Sequence, residues 1–425
     1  MNLKHQLTGF LFLVAASAFC QELQTAGPDK AGFSSGRLEL IDGMIENYVE
    51  HKKVAGAVAL IARDGKIVYH KGIGYSDIKE KKKMQPNTIF RIASQTKAIT
   101  SVAVMMLYEE GKLLLDDPVS RYISEFKEAG VLDKFNAADS TYTTVPAERE
   151  VTIRHLLTHT SGISYAVIGS KEGKAIYAKA GVPAGFVAGP LKLADKIKIL
   201  GGLPLMHQPG ERFTYGLNTD VLGYVVEVVS GMSLDRFFHE RIFEPLQMND
   251  TYFYLPKDKQ DRLAEVYVEN EAGETVEAPQ VSHGEINKDY PLLGSTYFSG
   301  GAGLSSTARD YSVFLQMLLN GGEYNGKRLL SPDTVRLMTV NQIGEKSLNH
   351  GNKFGLGFEV VTEEGSAAFP WHKGSFSWGG YFGSHYWADP VSGVVAVILT
   401  QETPNSEWGE ISAKFKNMVY SALVE

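Results

Sequence analysis

Strand signals stand near both ends of this chain and are scarce between them, and no other feature of the sequence narrows the possible folds as much. Residues 58–61 and 67–69 are apolar, β-prone runs on either side of Asp64-Gly65, a dipeptide suited to a tight hairpin. Comparable runs return at 386–388 and 394–400. Helical periodicity fills much of the rest. Leu40, Ile41, Met44, Ile45 and Tyr48 share one face of a helix over 38–48, and Ile99, Val102, Met106 and Leu107 lie in a second over 94–110, which Gly111 is placed to stop. Further helices are expected over 309–319, 331–340 and 411–423. Residues 113–293 read as short helices joined by long Gly-, Pro- and Ser-containing connections such as 162–189. Strands contributed by both ends around such a block predict an α/β (α+β) fold. In it, helices flank one antiparallel sheet built from 21–112 and 294–425, and 113–293 forms a mostly helical, in the limit all-helical, insertion.

Composition limits the function. A chain of 425 residues, 44% of them hydrophobic, can bury a large core, and a formal charge of −7 argues against a polyanionic partner. The basic run at 79–83 is interrupted by Glu80 and followed by Pro86, as in a solvated loop, so no nucleic-acid binding is expected. Lys4 and the apolar run 7–18 resemble a secretory signal peptide over residues 1–20, with cleavage after Ala18 or Cys20. The run is too short to span a bilayer, and no stable membrane insertion is expected after cleavage. The protein is therefore expected to be exported, periplasmic or secreted. Lipid anchoring at Cys20 is disfavoured by bulky Phe19. Cys20 is the sole cysteine, so the mature domain is expected to have no internal disulfide and no thiolate nucleophile. No His-Glu-x-x-His or Cys/His cluster suggests a metal, and no cofactor is expected.

Chemistry enters with Ser94-Gln95-Thr96-Lys97. On a helix, residues three apart share a face, so the Lys97 amine can reach the Ser94 hydroxyl. Alone, such a pair is usually an N-cap and a solvated lysine. Here the helix that follows carries no charge before Glu109, so Lys97 should be buried, and burial can lower an amine pKa toward that of a useful base.

Several segments in order carry a wider likeness. Phe90-Arg91-Ile92-Ala93 leads into the Ser-x-x-Lys box; then come Ile153-Arg154-His155-Leu156-Leu157-Thr158-His159-Thr160-Ser161-Gly162, Phe213-Thr214-Tyr215-Gly216-Leu217-Asn218, Gly300-Gly301-Ala302-Gly303-Leu304, Trp378-Gly379-Gly380 and Asp389-Pro390. Together they resemble the penicillin-recognising serine hydrolases, in particular the class C β-lactamase-related branch that holds the family VIII carboxylesterases. That resemblance implies a β-lactamase/transpeptidase-like fold, with Ser94 as nucleophile and Lys97 and Tyr215 as its activating groups. A phenol is a poor base at neutral pH unless a cation stabilises its phenolate, and Lys97 would be that cation. The resemblance also implies an oxyanion hole from the backbone N–H groups of Ser94 and Tyr381, with substrate along Trp378, Gly379 and Gly380. β-Lactamases carry Tyr-x-Asn and Lys-Thr-Gly where this chain has Tyr215-Gly216-Leu217 and Trp378-Gly379-Gly380, which favours the esterase branch. His372-Lys373-Gly374 is a rival third box.

His155 and His159 have no carboxylate partner in the local pattern and read as structural rather than as parts of a Ser-His-Asp triad. The expected substrate is a small ester, amide or β-lactam, a carboxylester first. A β-lactamase or D-alanyl-D-alanine carboxypeptidase is the alternative within the same chemistry, and a penicillin-binding sensor with little turnover is the alternative outside it.

Overall fold

The computed structural model describes residues 22–282 and 286–424; the expected signal peptide and Cys20 lie outside them. No helix among the described residues is long and apolar enough to cross a membrane. The centre is a nine-stranded sheet drawn from both chain ends. Its strands include β1 (Gln24–Thr25), β2 (Gly56–Arg63), β3 (Lys66–Asp77), β6 (Lys353–Phe354), β7 (Glu359–Val360), β8 (Phe376–Gly380), β9 (Ser384–Asp389) and β10 (Val394–Leu399), in the order β1-β3-β2-β10-β9-β8-β7-β6, and Lys82–Lys83 pairs with β3. The seam between the two ends is β2 against β10, antiparallel, with Val58 opposite Leu399. At the predicted hairpin, Asp64 and Gly65 both adopt positive φ, 48° and 77°, as a two-residue turn matched to the strand twist requires.

Both faces of the seam are covered, and the side chains sort by parity. Val58, Leu60, Ala62, Val395, Val397 and Leu399 enter one core with α2 (Thr96–Glu109) and α4 (Ala308–Leu319), whereas Ala57, Ala59, Ile61, Val394, Ala396 and Ile398 enter another with α1 (Leu40–Glu50) and α5 (Trp408–Ser421). This is why β2 and β10 read as continuous apolar runs rather than alternating ones. α2 is buried on every side from Thr96 to Leu107, as expected for a helix apolar around its whole circumference.

The 113–293 segment departs from the all-helical expectation. It contains α3 (Asn218–Ser230) and several short helices, but also the hairpin β4 (Gly130–Asn136)–β5 (Thr141–Pro146) and short two-stranded pairs at Tyr267–Glu269 with Thr275–Glu277 and at Val281–Ser282 with Ile286–Asn287. β5 is exposed along its length. Thr141, Tyr142, Thr143, Thr144 and Val145 hold it extended by β-branching and aromaticity rather than by burial.

Candidate active site

Ser94 lies in a 3-10 turn, Ala93–Gln95, that runs straight into α2. Several contacts fix this turn. Phe90–Arg91 pairs with Ser305–Ser306, the Ile92 amide donates to the Leu304 carbonyl at 3.0 Å, and the Tyr311 hydroxyl donates to the Gln95 carbonyl at 2.9 Å. Ala93, fully buried, is held at φ 46°, in the left-handed region that side chains other than glycine's rarely occupy. The strain sits one residue before the proposed nucleophile and is held by the surrounding packing.

Lys97 is 2% exposed and donates to Ser94 Oγ at 3.2 Å, to the Tyr165 hydroxyl at 3.0 Å and to the Gly301 carbonyl at 2.7 Å. Its Nζ also stands 4.7 Å from the centre of the Tyr215 ring. Burial pushes the Lys97 pKa down, but the oxygens of Tyr165 and Tyr215 push it up further, so it lies above that of an ordinary lysine. The expectation of a lowered value is therefore reversed, because acceptors converge on the amine and burial does not act alone. At neutral pH Lys97 is an ammonium.

Glycines bring the layers close enough for these contacts. A Cβ on Gly301 would lie 2.3 Å from Asp220 Oδ2 and 3.5 Å from Lys97 Nζ. Asp220, on α3, accepts from Ser299 Oγ at 2.5 Å and keeps its Oδ2 without a partner; burial pushes its pKa up. A Cβ on Gly380 would lie 2.6 Å from the Ile92 carbonyl, so the end of β8 abuts the turn that carries Ser94.

Ser94, Tyr215, Trp378, Gly379, Gly380 and Tyr381 thus line one cleft of about 470 Å³. Trp378 Nε1 donates to the Tyr215 hydroxyl at 3.3 Å, and the two rings pack 5.4 Å apart. His372 and Lys373 do not join them. Lys373 is exposed and pairs with Glu363 at 3.5 Å, while His372 is bound to Asp389 at 2.6 Å. Among the described residues lining the cleft, none is lysine or arginine.

His155 and His159 act as supports. His155 shares a reciprocal cap with Thr152 at the start of the short helix Ile153–Leu157. His159, kept neutral by burial, takes the Asn218 amide at 2.9 Å on Nδ1 and lays its ring 4.8 Å from that of Tyr215. Sequence reasoning missed Tyr165. It lies three residues past Gly162, in a loop held to the start of α3 by the Leu217 amide on the Ser164 carbonyl at 3.1 Å, and its position close behind the Thr158–Gly162 box was the one available pointer.

Comparison with known proteins extends this picture. The family model described as Beta-lactamase matches residues 41–413. Protein Rv1367c of Mycobacterium tuberculosis is 37% identical over 83% of this chain and 87% of its own length. Esterase EstB of Burkholderia gladioli is 29% identical over 94% of this chain and 100% of its own. The solved structure of EstCE1, a hydrolase with promiscuous acyltransferase activity, superposes with a TM-score of 0.78 at 30% identity over 92% of this chain and 99% of the other.

Proposed function

This chain belongs to the β-lactamase family, and we propose that within it the protein is an exported carboxylesterase that works through an acyl-enzyme on Ser94. The likeness to EstB and EstCE1 supports a hydrolase of the esterase kind. The leader-like run at 7–18 supports export. The observation that carries the proposal is the meeting of Ser94 Oγ and Lys97 Nζ at 3.2 Å at the foot of a cleft whose lining, among the described residues, holds no lysine or arginine. A β-lactam or a peptide C-terminus brings a carboxylate that must leave water, and without a partner such an anion is costly to bury. A neutral ester avoids that cost.

In the proposed reaction Ser94 Oγ attacks the ester carbonyl carbon while its proton passes to the oxygen of the Tyr215–Lys97 pair, which enters the step as phenolate and ammonium. The N–H groups of Ser94 and Tyr381 take the developing oxyanion. When the carbon–oxygen bond to the leaving group breaks, the pair returns the proton to the departing alcohol. Water then attacks the acyl carbonyl carbon by the same route, giving up a proton to the pair, which passes it to Ser94 Oγ as the acyl carbon–oxygen bond breaks and the acid leaves. The Lys97 ammonium supports negative charge on either neighbouring oxygen without moving.

The test is kcat/KM on a short-chain nitrophenyl ester, a chromogenic cephalosporin and a D-Ala-D-Ala peptide side by side. The ester is expected to be the best substrate; a higher cephalosporin or peptide value overturns the esterase reading. A serine-directed phosphonate should label Ser94, and Ser94→Ala should lose both label and turnover. An adduct on another residue overturns the acyl-enzyme assignment.

A further inference from the structure

The cleft does not end at Ser94. Pairing along β8 fixes which way each side chain points, because residues directly opposite in adjacent strands share a face. Trp378 lies opposite Tyr386 and faces the core shared with α2, whereas Ser377 lies opposite Glu359 and Trp387, and Gly379 lies opposite His385. Glu359 and His385 therefore stand on the other face of the sheet, the one covered by α5, yet they line the same cleft as Ser94. Along β8, β7 pairs only with Phe376 and Ser377, so Trp378 to Gly380 have no strand partner on that side, and residues of both faces line the cleft there.

The lobe beyond Trp378 to Gly380 has a consistent chemistry. Glu359 accepts from Asn352 Nδ2 at 2.8 Å and from Ser377 Oγ at 3.2 Å, and Glu402 accepts from Thr275 Oγ1 at 2.9 Å. The Nδ1 of His385 is enclosed with no hydrogen-bond partner, and burial keeps this ring neutral. Trp408 presses its ring to within 3.0 Å of where a Gly379 Cβ would stand, and so walls the lobe with an aromatic face. Lys416 does not line the cleft. Its Nζ is turned onto the Trp371 ring, 3.2 Å from the centroid. The Glu359 carboxylate, the carboxyl oxygens of Glu402, an unpartnered imidazole nitrogen and aromatic faces all favour a group that is positively charged and can donate an N–H.

We propose that this lobe binds a protonated amine, so that the preferred substrates are esters carrying an amine a few bonds from the scissile carbonyl. The inference rests on the esterase reading above. Two esters of the same shape test it: 2-(dimethylamino)ethyl acetate, protonated at pH 7, and 3-methylbutyl acetate, its neutral isostere. The expected result is a kcat/KM for the amine ester at least about tenfold above that of the isostere, with the ratio falling toward one in Glu359→Gln and restored in part in Glu359→Asp. Equal rates, or a faster neutral ester, overturn the proposal and leave the esterase reading intact. If neither ester is turned over, the esterase reading fails, and calorimetric titration of Ser94→Ala with 2-(dimethylamino)ethanol decides the lobe by itself. Saturable binding that Glu359→Gln abolishes upholds it, and no binding overturns it.

Discussion

Replacing Tyr165 by phenylalanine removes one oxygen from the interior and leaves the ring, so it isolates what that hydroxyl does for Lys97. The ammonium has three N–H donors, and Tyr165 accepts one of them at 3.0 Å in a site that water does not reach. Hydrogen bonds to charged groups contribute about 1.5–3 kcal/mol, and the thermal midpoint should fall accordingly. The same loss frees the amine to leave Ser94. If half or more of that energy is felt in acylation, kcat/KM falls roughly 3- to 150-fold, at about 1.4 kcal/mol per factor of ten. The pH profile gives the sharper readout. Tyr165 is the largest of the influences that raise the Lys97 pKa against burial, so its removal lowers that pKa. In the proposed mechanism the ammonium is the working form, so the alkaline limb of kcat/KM on a nitrophenyl ester should move to lower pH. A variant with wild-type kcat/KM and an unmoved alkaline limb would refute the anchoring role. An acid limb that moves down instead would show that the neutral amine is the active form, and the ammonium assignment would be wrong.

Lys97→Ala and Tyr215→Phe should each slow acylation by at least ~10², and the double variant should lose less than the product of the two, because both serve one proton path; single-turnover rates check this. Gly380→Ala sets a Cβ 2.6 Å from the Ile92 carbonyl and should cut kcat/KM by ~10² through displacement of the strand end, whereas Gly43→Ala on α1, with open space around it, should leave kcat/KM at the wild-type value. Glu402 is pushed up to about 7 by burial. Its native form holds a proton between pH 4.5 and 7 that the unfolded chain releases, so this contribution to stability is present below pH 4.5 and is lost as pH rises through 7. At about 1.4 kcal/mol per pH unit the loss is roughly 3 kcal/mol, and Glu402→Gln should flatten the corresponding fall in Tm between pH 5 and 8.

The elements that sequence predicted well are those whose signal is local. The helix expected over 309–319 is Ala308–Leu319, the strand at 394–400 is Val394–Leu399, and the Ser94–Lys97 contact follows from helical spacing. What escaped was either unsupported by burial or made at long range. β5 carried β-formers in Tyr142 to Val145, but without an apolar face it has no alternation to read. Tyr165 has no periodicity at all and reaches Lys97 only because its loop folds back onto α3. The raised Lys97 pKa was hidden for the same reason, since burial can be guessed from an apolar helix but converging oxygens cannot. The two rival third boxes separate by strand length: Lys373 lies before β8 begins, whereas Trp378 to Gly380 are its last three residues.

The seam between β2 and β10 also bears on the order in which activity can appear during synthesis. A nascent chain ending near residue 300 already contains Ser94, Lys97, Tyr165 and Tyr215, but it lacks β8, the Tyr381 amide proposed for the oxyanion and the strand that pairs with β2. Val58 waits for Leu399, some 340 residues later, and closing so long a loop costs entropy before any contact repays it. The reactive serine is thus made early and completed late. A chain that is interrupted carries the parts of a hydrolase but has no working site.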